Sequence, residues 1–247
     1  MGFKDHFSGH AADYGSHRPT YPRALFEFLA SQVSQRSLAW DCATGNGQAA
    51  SGLAEFFDRV IASDASEQQV TSACGLPSNV DLRVALAEAS GLAEQSVDLV
   101  TVAQALHWFD FKKFYAELRR VLVPGGVVAV WSYGLTRIGP AVDALIDGFY
   151  RGELDAFWPP ERVYVESGYR DIPFPFDELA VPEYSMVVGW SLDDLLNYLR
   201  TWSAVRRLVA ARGGDPVGEL EPGLRAIWGD GQREVRWPLF LRVGRLA

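Results

Sequence analysis

Residues 38–48 read Leu38-Ala39-Trp40-Asp41-Cys42-Ala43-Thr44-Gly45-Asn46-Gly47-Gln48. A short apolar run meets an acid, and a loop with two glycines then opens a segment, Gln48 to Phe57, that suits a helix. Strand, tight turn and helix in that order form the opening unit of a βαβ fold. Glycine lets the backbone turn sharply and come close to a ligand. The helix start offers free N–H groups at the positive end of its dipole. Gly45-Asn46-Gly47-Gln48-Ala49-Ala50 also satisfies the G-x-G-x-x-G/A pattern of dinucleotide loops. On these residues alone the loop is either a ligand cradle or a tight βα turn with no ligand.

The same rhythm extends in both directions. Upstream, Pro19 and Pro22 mark an irregular entry, and Leu25, Phe26, Leu29 and Val33 then fall on one helical face. Downstream, Val60-Ile61-Ala62 is stopped by Asp64, Gln68 to Cys74 suits a helix, and Val80 to Leu86 reads as a strand. Val97 to Ala103 is a nearly continuous apolar run, as expected of a strand buried on both faces. Phe111 to Leu122 is amphipathic, with Phe114, Leu118, Val121 and Leu122 inward. Pro124-Gly125-Gly126 breaks it before a further strand, Val127 to Trp131. Alternation of this kind implies parallel strands, right-handed crossovers and a ligand edge at the strands' carboxyl ends.

After Tyr133 the rhythm fails. Ile138 to Tyr150 suits a helix, and residues 157–183 are rich in proline and aromatics. Tyr184 to Gly189 reads as a strand, and Ser191 caps a helix running to about Ala211. Glu234 to Arg245 reads as a last strand. The expected fold is α/β: a doubly wound, mostly parallel seven-stranded sheet, helices on both faces, and a helical cap inserted late in the chain. Residues 1–247 are read as one domain, with an N-terminal segment (1–36), a core (37–133), a cap that reads the substrate (134–230) and a final strand (231–247).

Composition excludes several function classes. Hydrophobic residues make up 48% and charged residues 22%, an ordinary globular balance. Net charge is −8, and the densest basic groupings, Arg206-Arg207 and Arg233 to Arg236, are short. A protein that grips nucleic acid neutralises phosphates with clustered Lys and Arg, so neither nucleic acid nor an anionic membrane is an expected partner. Two cysteines with no CxxC make no disulfide framework. MGFKDHFSGH has no apolar core of a signal peptide, and no apolar run is long enough to span a membrane, so the cytoplasm is the expected location. Four histidines (His6, His10, His17 and His107) show no HxxxH or HExxH spacing, and no metal is expected. Aromatics at 13% suit an aromatic-lined pocket or a ring-rich core equally.

Asp64 closes the second strand about 20 residues after the glycine loop, where a ribose diol lies in dinucleotide folds. A carboxylate accepts two hydrogen bonds from a diol, although Asp64 and Ser66 also stand where a helix cap would. His107 follows the fourth strand, and imidazole titrates near neutrality, so it is either a general base or a structural histidine pinning its loop. Trp108 and Trp131 suit a substrate pocket or the core.

These segments, in this order, resemble the class I S-adenosylmethionine-dependent methyltransferases. Trp40 to Gly47 resembles their first motif and Val60 to Ser66 their second-strand motif. Ala87-Glu88-Ala89 with Ser96 to Val100 resembles their third turn and fourth strand, and Leu122 to Gly126 the turn before strand five. The resemblance covers about residues 10–135. It is closest to the trans-aconitate methyltransferase-like branch, through Tyr14, Arg18-Pro19-x-Tyr21-Pro22, Gln104 to Phe109 and Thr201-Trp202-Ser203. Two departures stand out. Ala43 replaces a frequent glycine, a change of one methyl group. Leu86 replaces an acid that meets the adenine amino group, which leaves adenine to the backbone of Ala87 and Glu88. The resemblance implies S-adenosylmethionine as cofactor, met by Tyr14, Arg18, Asp41, Ala43, Thr44, Gly45, Gly47, Gln48, Asp64, Ala65, Ala87, Glu88, Gln104 and Ala105. It implies a small-molecule methyl acceptor near His107, Trp108 and Trp131, with the N-terminal segment folding over the cofactor. Two other readings stay open: a binding module that keeps the fold without catalysis, and a nicotinamide-dependent oxidoreductase.

Overall fold

The computed structural model describes residues 19–246. Tyr14 and Arg18, expected at the cofactor, lie outside the described residues. The first helix, α1 (Arg23–Ser31), buries Leu25, Phe26, Leu29 and Ala30 on the expected face. Then come β1 (Leu38–Cys42), α2 (Gln48–Leu53), β2 (Arg59–Asp64), α3 (Glu67–Ser72), β3 (Val80–Val84) and β4 (Val97–Ala103). A 3-10 turn (Leu106–Trp108) leads to α4 (Phe111–Val121) and β5 (Leu122–Tyr133). Ser66 caps α3, its hydroxyl accepting from Gln69 N–H, and Asp110 caps α4 in the same way through Lys113 N–H.

Strands β3-β2-β1-β4-β5 run parallel in that order. The order reverses between β1 and β4, the place where such sheets bind ligands. Beyond Tyr133 lie α5 (Pro140–Arg151), a 3-10 turn (Asp155–Phe157), α6 (Arg162–Glu166), β6 (Asp177–Glu178) and β7 (Tyr184–Trp190). Helices α7 (Leu192–Arg200), α8 (Ser203–Arg212) and α9 (Pro216–Trp228) follow, and β8 (Arg233–Arg245) ends the fold. β8 pairs antiparallel with β5 on one edge and with both β6 and β7 on the other. The sheet therefore has eight strands in seven positions, because two-residue β6 and β7 occupy one edge of β8 in succession.

Some boundaries differ from the sequence reading. β3 ends at Val84, and Leu86 instead bridges Ala89 across a tight turn. β5 begins at Leu122, with Pro124-Gly125-Gly126 inside it as an irregular start: Gly125 has φ +74 and the β4 register shifts between Val97 and Leu99. The helix expected over 191–211 breaks at Thr201–Trp202, because Trp202 turns extended and inward against Tyr150, Trp158 and Tyr198. Ser191 caps α7 as expected, in a reciprocal box with Asp194.

One apolar cluster joins α1, α2, one sheet face and the cap helices; a second joins the other face to α4 and the segment around Tyr169. No described helix is long and apolar enough to cross a membrane.

Candidate active site

At the carboxyl end of β1 the side chain of Asp41 is buried, 1% exposed. Its oxygens accept from Thr44 Oγ1 at 2.5 Å and Thr101 Oγ1 at 2.8 Å. Burial lifts its pKa to about 6, only partly offset by these two hydroxyls. The loop then takes three left-handed residues in five: Ala43 at φ +56, Gly45 at +55 and Gly47 at +82. The consequence of alanine at 43 is therefore conformational as well as one of volume. A side chain on Gly47 would strike Leu76, whereas one on Gly45 would meet nothing within 4 Å. Gly45 N–H donates to Asp64 Oδ2 at 3.0 Å, and Ser66 N–H donates to Asp64 Oδ1 at 2.9 Å. Asp64 thus ties the β1 loop to the β2 end, and the cap of α3 is Ser66. Gln48, first in α2, donates from Nε2 to Pro19 O at 3.0 Å, which holds Pro19 beside the loop.

The neighbouring strand repeats the pattern. Gln104, directly after β4, is left-handed at φ +57, and its N–H donates to Trp131 O on β5. Non-glycine residues held in this conformation concentrate at functional sites, and here two flank the point where strand order reverses. Ala105 and Ala87 are buried, and Ala65 is half-buried. Glu88 accepts from Asp110 N–H at 2.9 Å, so its carboxylate serves the start of α4, while Leu86 stays 46% exposed.

His107 lies in the 3-10 turn after β4, with its Nδ1 2.9 Å from the hydroxyl of Tyr169. Trp108 packs beside it, ring centroids 4.6 Å apart. Burial, aided by the positive Arg162, pushes the His107 pKa down to about 3. This corrects the expectation of titration near neutrality: the ring is neutral at physiological pH and a weak base. Trp131 is fully buried against Tyr21, ring centroids 5.3 Å apart, and its Nε1 has no hydrogen-bond partner among the described residues.

Sequence reasoning missed Thr101, Arg162 and Tyr169. Arg162 donates from Nε to Tyr150 Oη at 2.7 Å, and its guanidinium lies over the rings of Tyr150 and Trp158. The Tyr150 hydroxyl in turn donates to Glu166 at 2.6 Å. Only a partner search in space finds these residues, because Tyr169 meets His107 across 62 positions. No group of three or more His, Cys, Asp or Glu among the described residues is placed to hold a metal ion.

Residues 40–130 match the family model described as a methyltransferase domain. A Dictyostelium discoideum protein named as a methyltransferase is 34% identical over 98% of this chain and 95% of its own length. The chain belongs to the methyltransferase family. A Schizosaccharomyces pombe protein also named as a methyltransferase is 27% identical, covering 90% of this chain and 88% of its own. A solved structure from Anaeromyxobacter dehalogenans, described as a type II methyltransferase, superposes with a TM-score of 0.87 at 51% identity, covering 92% of this chain and 97% of that one. The protein is a class I enzyme whose methyl donor is S-adenosylmethionine.

Proposed function

We propose that this methyltransferase transfers the methyl group to a small-molecule acceptor held between the sheet's carboxyl edge and residues 134–230. One observation supports the cofactor placement most. Gly45 is open where a side chain would stand, and its N–H is tied to Asp64 beside the reversal of strand order. In this reading Asp41, Ala43, Thr44, Gly45, Gly47 and Gln48 form the loop side of the cofactor site. Asp64 and Ala65 take the ribose, Ala87 and Glu88 meet adenine through their backbone, and Gln104 and Ala105 supply the β4 side. Tyr14 and Arg18 close over it, Arg18 toward a carboxylate.

When bound, S-adenosylmethionine supplies a methyl group made electrophilic by its sulfonium. The chain's own part is to orient the acceptor and exclude water, and positioning of this kind is worth on the order of 7–11 kcal/mol. His107 and Trp108 line the acceptor side, whereas Trp131, fully buried, belongs to the core. Arg162 acts electrostatically on His107, and among the described residues it forms no ion pair. A guanidinium so placed favours an acceptor that carries negative charge, compatible with O-, C- or carboxyl-methylation.

Calorimetric titration of S-adenosylmethionine, S-adenosylhomocysteine and NAD tests the placement. Gly45→Asn fills the open space with a residue that tolerates positive φ, so binding is expected to vanish while the melting temperature holds. Unchanged affinity in that variant overturns the placement, and binding of NAD alone restores the oxidoreductase reading. Release of S-adenosylhomocysteine is then measured over a panel of acids, alcohols and amines. Binding with no turnover on any of them is the result expected of a silent module.

A further inference from the structure

We infer that the outer edge of β7 is an interface with a second copy of this chain, the two β7 strands pairing antiparallel about a two-fold axis at Val187. Among the described residues the sheet ends in three strand edges, at β3, β6 and β7. A bare edge offers unpaired N–H and C=O groups to any other strand, and charge, proline, bulges or brevity are the usual protections. β3 carries Asp81 and Arg83, with Asp81 in an ion pair to Arg59. β6 is two residues long, and both are acids. β7 has none of these protections. Its seven residues, Tyr184 to Trp190, hold no charge and no proline, and their register against β8 runs unbroken.

Hydrogen bonds on the far side of β8 fix which β7 groups face outward. Arg236 N–H donates to Arg137 O at 2.9 Å, and Arg137 N–H donates to Arg236 O at 2.8 Å. Both backbone groups of Arg236 thus point away from β7. Val187, opposite Arg236, is therefore in a non-hydrogen-bonded pair and turns its own N–H and C=O outward. Ser185 and Gly189, two residues to either side, do the same. Pro238, opposite Ser185, agrees: it has no N–H, and its carbonyl accepts from Gly134 N–H at 3.1 Å. Val187 is 47% exposed, and Gly189 is exposed beside it.

A second β7 fits this edge throughout. In a register centred on Val187, each Val187 exchanges two hydrogen bonds with its counterpart, and each Ser185 exchanges two with the Gly189 of the other copy. Every outward group of both strands is then paired. On the opposite face Tyr184 meets Trp190 and Met186 meets Val188, aromatic and apolar pairs of the kind that stabilise antiparallel ladders. Glu183 falls opposite Ser191, so no like charges meet. Each chain carries a net charge of −8, and an uncharged strand is where two such molecules approach with least repulsion. The contact uses the same edge on both copies, so association closes at two.

Sedimentation velocity of the full chain at micromolar concentration, with amide hydrogen exchange read by NMR, tests this interface. The expected mass is twice that of the 247-residue chain, with slow exchange at Ser185, Val187 and Gly189. Val187→Lys sets two ammonium groups against each other at the axis. It should return the mass to that of one chain and remove the protection of Ser185 and Gly189, while the melting temperature of the exposed site's variant holds. A monomeric wild type overturns the proposal. So does a dimer that persists in Val187→Lys, or one whose three amides exchange as open groups, since either joins through another surface. Should the variant fail to fold, the mass and the amide exchange of the wild type decide.

Discussion

Ala43 holds a left-handed conformation one residue past β1, where a β-carbon costs roughly 1–2 kcal/mol against glycine. Glycine loses more backbone entropy on folding, by roughly 0.5–1 kcal/mol. Ala43→Gly should therefore stabilise the protein by about 1 kcal/mol or slightly less, read from urea denaturation; a destabilised variant would show that the methyl group packs to advantage. Asp41 gives a second prediction. Its pKa rises from 3.8 unfolded to about 6 folded, so the folded state binds the extra proton between those values. Stability from this group is present below pH 4 and is lost as pH rises through 6. Asp41→Asn should gain stability relative to wild type between pH 4 and pH 7, by up to about 3 kcal/mol. A flat difference across that range would show that Asp41 ionises normally. His107 has the opposite sign. Its folded pKa of about 3 lies below 6.5, so its contribution is full above pH 6.5 and is lost as pH falls toward 3. Turnover should consequently show no inflection from His107 between pH 6 and 8, where an unperturbed imidazole would give one.

At the scale of elements, the turn 86–90 is clamped on α4 at two points. Glu88 accepts from Asp110 N–H, and Glu117 accepts from Ser90 N–H at 2.9 Å and Ser90 Oγ at 2.5 Å. The turn at the end of β3 and the turn bearing His107 thus share one support. Glu88→Ala should lower stability by about 1 kcal/mol, the usual scale for one hydrogen bond. Glu88→Gln keeps an accepting oxygen and should leave both stability and S-adenosylhomocysteine affinity near wild type. If Gln loses as much affinity as Ala, the charge itself serves the cofactor. The elements differ in how visible they were in sequence. β1, β2, β4 and β5 announce themselves because burial on both faces makes them continuous apolar runs. β3 is mixed and only half-buried, so its end was set too late. The break at Trp202 escapes a reading by periodicity, since its cause is a ring cluster assembled from α5, the segment after it and α7. The placement of the glycine loop between β1 and α2, and of Asp64 at the end of β2, was legible from spacing. Arg162 and Tyr169 were not, because their meaning comes from partners on other elements.

For the molecule as a whole, the sheet and the cap share a core. Ala39 and Leu99 of the sheet belong to the same buried cluster as Ile146, Trp202 and Leu224 of the cap. Unfolding should therefore be a single transition, with far-ultraviolet dichroism and tryptophan fluorescence coinciding. Trp202→Ala, at a site 6% exposed, should lower the stability reported by both probes by about 3–5 kcal/mol. Two separated transitions would mean that the cap melts alone. The position of β8 has a further consequence, in time rather than in energy. Strand β8, about a hundred residues after β5, lies inside the sheet, between β5 and the β6–β7 edge. At roughly 5–20 residues per second, about a hundred residues are synthesised between the end of β5 and the start of β8, so β5 waits roughly 5–20 s beside an open edge. An unpaired strand edge is a template for aggregation. On the ribosome the sheet cannot close until residues 233–245 emerge, and until then the β5 edge of the nascent chain is open to misassembly.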